Sequence, residues 1–398
     1  MLNLFIFNHI NKNETIKALL KYKRTHAEAD YCEAARGIIE FAPKRLTNKN
    51  ILGEFVLRLM LESEHLPDIS RLRDFLRHDV KVIFSEFINY DWEDMFRSDA
   101  MPSLSGIATE PIDAGLCSYS RSIEAMLDCG SNEALGGAIL AHAESFGTGS
   151  SSAYSALKWE KGRLKGITHP DSITFDMLTG LEHQKKVLIA NTESFVNGKP
   201  ANDVLLTGSS GTGKSSSVKA CLNMFKDRGL RLIELDKADL IDLSALFGCI
   251  KNDVLKYIVF IDDLSFEPGD MSYKILKSAL DGQAEARGNN ILIYATSNRR
   301  GLIKETWSER EGYSSDEVHR SEGIQERKSL SARFGINLSF LTPTQNEYLS
   351  IVEDMLHLRG MDMTDEIRAE ALKWQINYNG FSGRTAKQFI LNLLGSCE

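Results

Sequence analysis

Gly208, Gly213, Lys214 and Ser215 stand at the spacing G-x-x-x-x-G-K-[ST], inside the stretch Asp203-Val-Leu-Leu-Thr-Gly-Ser-Ser-Gly-Thr-Gly-Lys-Ser-Ser-Ser217. The chemistry such residues can do is phosphate binding. Glycines, Gly211 among them, let the backbone curl so that its N–H groups face one anion. A helix beginning near Lys214 adds the positive end of its dipole. Lys214 is then placed for the β and γ phosphates, and the Ser215 hydroxyl for Mg²⁺. A Gly/Ser-rich linker has the same composition. It lacks the short apolar strand before the loop and the amphipathic helix after it, and both are present here.

More residues of matching chemistry follow. Tyr257-Ile-Val-Phe-Ile-Asp-Asp-Leu264 is an apolar strand that ends in two carboxylates. A strand beside the phosphate-loop strand would carry Asp262 to the metal and leave Asp263 to orient and polarise a water. Ala295-Thr-Ser-Asn-Arg-Arg300 ends another apolar strand. It sets Asn298 near the γ phosphate or the attacking water, although Ser and Asn are also common in strand-end turns. Arg333, in Leu330-Ser-Ala-Arg-Phe-Gly335, has the planar fork that neutralises phosphate. It reads either as a finger for a neighbouring subunit's γ phosphate or as a surface ion pair. Arg384 falls in the first turn of a helix opened by Ser382. An arginine there opposes its own helix dipole, which points to an anionic partner or to a tolerated small penalty.

The elements that must position these groups alternate. Strands are expected at 204–206, 230–235, 257–261, 291–295 and 337–340, with helices between most of them. The first, third and fourth are nearly all apolar, as parallel strands covered on both faces are. This is a βαβ arrangement and an α/β class. Residues 1–96 have helical composition and loose helical spacing, and 101–114 has little periodicity. Helices are expected at 122–127 and 134–144. Phe146-Gly-Thr-Gly-Ser-Ser-Ser152 reads as a flexible loop or linker. Lys304–Ser329 is polar and punctuated by Gly and Ser, and reads as a mobile loop. Residues 342–398 are helical again.

In this order the phosphate loop, the acidic strand end, Asn298, Arg333-Phe334-Gly335 and Gly383-Arg384 resemble the AAA+ ATPase family. They correspond to its Walker A, Walker B, sensor 1, arginine finger and sensor 2. The phrases Pro200–Leu206, Phe260–Phe266, Tyr294–Arg300 and Ser382–Phe389 resemble more closely a bacterial group of uncharacterised AAA+ ATP-binding proteins, formerly a domain of unknown function. The resemblance covers roughly 171–398. It implies an AAA+ P-loop core with a five-stranded parallel sheet at 166–341, a helical lid at 342–398, and ATP with Mg²⁺ between them. A mainly helical region, 1–165, precedes these as a candidate partner-recognition domain. Gly208, Ser209, Ser210, Gly211, Thr212, Gly213, Lys214, Ser215, Ser216 and Arg384 are the implied nucleotide contacts. Ser215 and Asp262 are the implied metal ligands, and Asp263, Asn298 and Arg333 the implied catalytic groups. Thr179–Gln184 is implied to lie near the adenine. Asp263 stands where many members carry Glu, one methylene longer, which bears on hydrolysis rate more than on binding. Glu267 is a further candidate for the base.

Composition bounds the remaining partners. A net charge of −8 excludes a global basic field for nucleic acid or anionic membrane. Arg299-Arg300 and Lys161–Lys165 leave only small basic spots, so a nucleic-acid loader is the weaker alternative. The six cysteines form no C-x-x-C pair and suggest free thiols in a reducing, cytoplasmic setting. No apolar run approaches the ~18 residues of a membrane span. Asp236–Asp242 lacks the aromatic residue of a peptide-threading loop. The expectation is therefore an oligomeric ATPase acting on an unidentified macromolecular partner. A nucleotide-gated binding module with little hydrolysis is the alternative.

Overall fold

The computed structural model describes residues 1–47, 49–63, 69–90, 92, 117–266, 271–281, 287–298, 330–377 and 380–395. The segments 101–114 and 304–329, Arg299-Arg300 and Glu267 lie outside the described residues. Two compact units divide the chain: Met1–Ser155 with Gly166–Pro170, and Ala156–Lys165 with Asp171–Glu398.

The first unit is helical. Its described helices are α1 (Glu14–Thr25), α2 (Glu28–Phe41), α3 (Ile51–Leu61), α4 (Arg73–Ile83), α5 (Cys117–Leu127) and α6 (Asn132–Phe146). Side chains set several helix starts: Asn13, Asn50 and Ser131 each accept a backbone N–H from the first turn that follows. Helix α3 is apolar almost all round and lies in the core, as such a helix must. Two buried carboxylates fasten loops to this core. Asp79 accepts the N–H groups of Phe5, Ile6 and Phe7 at 2.7–3.1 Å. Glu54 accepts those of Leu46 and Thr47 at 2.7 and 3.3 Å. The stretch 146–152 is not a flexible linker. Ser151 and Ser152 are buried, a four-residue helix runs Ser150–Ala153, and the Gly149 N–H bonds to Leu61 O at 2.7 Å. Its Gly/Ser composition serves a tight, packed turn, with Gly147 and Gly149 both at positive φ.

The second unit is built on a sheet of seven strands: β1 (Ala156–Glu160), β2 (Arg163–Gly166), β3 (Val204–Gly208), β4 (Leu230–Glu234), β5 (Lys256–Ile261), β6 (Ile291–Ser297) and β7 (Ile336–Phe340). Their order is β2-β1-β4-β5-β6-β3-β7, and every pairing from β1 to β7 is parallel. The five expected strands are all present. The structure adds β1 and β2, which sequence reading left inside the helical 1–165 region. Charged Lys158, Glu160, Arg163 and Lys165 hide the strand signal there, because β2 is the solvated edge and β1 lies beside it. Lys161 and Gly162, both left-handed, turn one into the other.

Tyr257 through Ile261 of β5 are essentially inaccessible, as are Ile293, Tyr294 and Ala295 of β6. Each Ile, Val or Phe among them contributes about 1.5–3 kcal/mol on burial. Helices α7 (Glu182–Val196), α8 (Lys214–Phe225), α9 (Leu243–Ile250) and α10 (Met271–Leu280) accompany the strands. Beyond β7, α11 (Gln345–His357), α12 (Asp365–Asn377) and α13 (Gly383–Gly395) pack around Tyr348, Val352, Leu356, Ala371 and Phe389 as a separate small core. A reciprocal capping box between Thr344 and Glu347 starts α11. Chain order reverses at β3, which sits between β6 and β7. Parallel sheets open a ligand crevice at such a switch point, outside the carboxyl ends of the strands. The loop after β3 occupies that place.

Candidate functional site

The loop after β3 is shaped by glycines at positive φ, where a side chain would be strained. Gly208 has φ 149°, and a Cβ built there would lie 2.0 Å from Phe340 O of β7. Gly211 has φ 78°, and its Cβ would meet Ser382 Oγ at 3.0 Å and Arg384 Cβ at 3.1 Å. Helix α8 then opens at Lys214 behind Gly213, also left-handed. Its first N–H groups face the loop, the arrangement that binds anions. Thr212 Oγ1 donates to Ser209 O at 2.9 Å, and Thr342 Oγ1 donates to Ser209 Oγ at 3.1 Å.

The C-terminal helices come to the same loop. Gly383 N–H bonds to Gly211 O at 3.0 Å, and Ser382 Oγ accepts from Thr385 N at 3.1 Å to cap α13. Two helix N-termini, of α8 and α13, therefore meet the loop, and the exposed Arg384 stands in the first turn of the second. Thr179 hydrogen-bonds Asp354 of α11, and the Leu181 side chain approaches Gly213. The segment implied to lie near the adenine is thus tied to both the loop and the C-terminal helices.

Three strand ends supply the reactive groups. Lys214 Nζ donates to Gly208 O at 2.8 Å, Ser209 O at 2.7 Å and Asn298 Oδ1 at 2.9 Å. Burial lowers the Lys214 pKa, opposed by Asp262 and Asp263 and assisted by Arg384. Asn298 Nδ2 donates to Asp263 Oδ1 at 2.6 Å, so one amide joins the lysine to the second carboxylate. Asp262 Oδ1 accepts from Ser215 Oγ at 2.7 Å and from Thr296 Oγ1 at 2.5 Å. Asp263 has φ 51°, a left-handed conformation that Asp tolerates better than most residues, and its N–H reaches Thr296 Oγ1 at 2.9 Å. Residues in such conformations cluster at functional sites.

The structure thus brings together residues 208–216, Asp262, Asp263, Asn298 and Arg384. It does not bring Arg333 to them. Ile336 of β7 pairs with Val204, whereas Phe340 pairs with Gly208. Arg333 therefore lies beyond the opposite end of the strands, where it hydrogen-bonds Asp281. Sequence reading passed over Thr296. The available signal was strand alternation, which sets residues two apart, here Thr296 and Asn298, on one face.

A hydroxyl and a carboxylate in mutual contact, beside an anion-binding loop, fit Mg²⁺, a hard cation usually held by one or two carboxylates with phosphates and water. Among the described residues no cluster of three or more His, Cys, Asp or Glu forms another metal site.

A family model described as a protein of unknown function (DUF815) matches residues 152–397. The chain belongs to that family. The match takes in the seven described strands of this DUF815 protein and its helices α11, α12 and α13. Within it the strands β7-β3-β6-β5-β4 form a parallel core of α/β class, with the glycine-rich loop after β3 and the helices α11–α13 beyond β7. Among solved structures, the Thermotoga maritima RuvB Holliday junction branch migration motor is similar at 17% identity and a TM-score of 0.35, over 56% of this chain and 72% of that one. The Aeropyrum pernix ORC1 protein in complex with DNA is similar at 15% identity and 0.37, over 53% and 58%. C. elegans PCH-2 is similar at 17% and 0.37, over 54% and 63%. The DUF815 chain thus spans less than two thirds of the latter two. Likeness at this level transfers no activity, ligand or partner. No curated protein matches the chain in sequence.

Proposed function

We propose that this DUF815 protein binds Mg²⁺–ATP in its AAA+ core and hydrolyses it to move its lid and remodel a macromolecular partner. The observation that supports this most is the convergence of Ser215, Asp262, Lys214, Asn298 and Asp263 on the ends of β3, β5 and β6. In this reading the N–H groups and side chains of 208–216 cradle the phosphates. Lys214 exchanges its carbonyl partners for the β and γ oxygens, and Arg384 approaches from the lid. Ser215 and Asp262 hold the metal, which when bound neutralises charge developing on the phosphates. Asp263 orients the water and takes its proton toward the carboxylate, and Asn298 relates that water to the γ phosphate.

Residues 342–398 act as the lid that follows nucleotide state, 171–341 together with β1 and β2 as the core, and 1–155 as the region that selects the partner. Arg333 completes the site of an adjacent subunit in a homo-oligomer. Among the described residues no helix is long and apolar enough to cross a membrane. Cys32, Cys129 and Cys221 are free thiols, which fits a reducing cytoplasm.

The test is ATP turnover per subunit with Mg²⁺ across a range of protein concentrations. A specific rate that rises with concentration is expected, since sites completed between subunits need assembly. ATP binding without turnover at any concentration would instead favour a nucleotide-gated switch. The Asn298–Asp263 bond is the observation on that side, because it occupies the base.

Lys214→Ala is expected to weaken ATP binding about 100-fold, since each hydrogen bond from a charged donor contributes about 1.5–3 kcal/mol. Titration with a fluorescent N-methylanthraniloyl ATP would show it. Undiminished affinity would take Lys214 off the phosphates.

A further inference from the structure

Thr296 has one hydroxyl hydrogen and uses the group twice. Its Oγ1 donates to Asp262 Oδ1 at 2.5 Å and accepts the Asp263 N–H at 2.9 Å. Its carbonyl accepts the Leu264 N–H at 2.7 Å. Three consecutive residues after β5 are thereby fastened to one residue of β6. Thr296 is 1% exposed, and its β-branch restricts χ1, so the hydroxyl has little freedom to leave this position.

From these contacts we infer that Thr296 is a positioning residue for both carboxylates of the site. On Asp262, three donors converge on Oδ1: Thr296 Oγ1, Ser215 Oγ at 2.7 Å and the Asp263 N–H at 3.2 Å. Among the described residues no hydrogen bond goes to Oδ2. Thr296 therefore fixes the carboxylate's rotation and decides which oxygen is left for a metal or its water. On Asp263, the hydroxyl holds the N–H of a residue at φ 51°. Its carbonyl takes the N–H of the next residue, so the left-handed turn that aims Asp263 at Asn298 is held from both sides. Partners that orient metal ligands in this way tune affinity without touching the ion. The inference rests on the Mg²⁺–ATP reading above.

The experiment compares Thr296→Val, which keeps shape and removes the hydroxyl, with Thr296→Ser, which keeps the hydroxyl, in the full chain. N-methylanthraniloyl ATP binding is titrated with Mg²⁺ and repeated in EDTA, beside ATP turnover and thermal melting. Thr296→Val is expected to raise the Mg²⁺ needed for half-maximal binding and turnover about 10- to 100-fold. Its affinity in EDTA should match the wild type, and Thr296→Ser should restore the Mg²⁺ midpoint. A Val variant that melts earlier and turns over more slowly at every Mg²⁺ concentration, with an unmoved midpoint, has only a packing defect and overturns the inference. If the Val variant does not fold, Thr296→Ser and Thr296→Ala decide: a low midpoint for Ser and a high one for Ala supports it, and equal midpoints overturn it. Wild-type protein that binds this nucleotide equally in Mg²⁺ and EDTA would refute the parent reading, a failure visible without any variant.

Discussion

Arg333→Ala is expected to lower ATP turnover about a thousandfold while leaving nucleotide affinity near wild type, the pattern of an arginine that neutralises charge only in the transition state. The position of Arg333 argues for this split. It precedes β7, whose first residue pairs with the start of β3 and whose last pairs with Gly208. Four strand steps at ~3.3 Å place it more than 13 Å from its own phosphate loop. A contact to its own γ phosphate is out of reach, so a direct effect on phosphate must pass to another subunit. The guanidinium is meanwhile held by Asp281, both side chains being 26% exposed. That pair is the surface ion pair open to it in sequence, and also a way of keeping the fork extended from the end of β3 that is remote from nucleotide. Mixing separates the two. Arg333→Ala and Asp263→Asn subunits, each impaired alone, should regain turnover together, because some interfaces then join an intact Asp263 to an intact Arg333. Mixtures that stay inactive, or an Arg333→Ala protein with full turnover, would return Arg333 to a structural role.

How much of this was legible in sequence follows from how local each signal is. The phosphate loop announces itself because one short segment does everything: glycines at fixed spacing, a lysine, a hydroxyl and a helix start. The buried strands β3, β5 and β6 were legible because strands covered on both faces are apolar at nearly every position. The strands β1 and β2 were not, since β2 is the sheet's edge and β1, beside it, carries charges between its buried residues. Trp159 is buried, but Lys158, Glu160, Arg163 and Lys165 around it belong to solvent. The Phe146–Ser152 turn misled for a related reason. Glycine and serine suit a flexible linker and a tightly packed bend equally, and only the tertiary contact from Gly149 to Leu61 separates them. Thr296 and Asp281 were invisible as functional partners because their meaning lies in what faces them across the fold: Asp262 and Asp263 for one, Arg333 for the other.

Asp263→Asn should preserve nucleotide binding and reduce turnover about 10²- to 10⁴-fold, the range lost with a positioned general base. The substitution is unusually clean here. Asn shares with Asp a tolerance for left-handed backbone, so φ 51° survives. Its amide oxygen can still accept from Asn298 Nδ2, the bond of 2.6 Å made by Asp263 Oδ1, and its N–H keeps Thr296. Only the charge and the proton affinity go. The same backbone offers a physical reason for Asp rather than Glu at this position. A left-handed residue at a strand end favours the shorter side chain that bonds locally, and the turn itself, rather than an extra methylene, brings the carboxylate to Asn298. Asn298 in turn accepts from Lys214 Nζ, so on the proposed reading phosphate that drew the lysine would also loosen the amide held against Asp263. Binding and release of the base would then be coupled through one side chain, and the Asn variant tests the base alone. Binding measured with N-methylanthraniloyl ATP and turnover measured by phosphate release should therefore part company in this variant. Turnover equal to wild type would remove Asp263 from the water and leave its exchange of hydrogen bonds with Asn298 as a conformational link only.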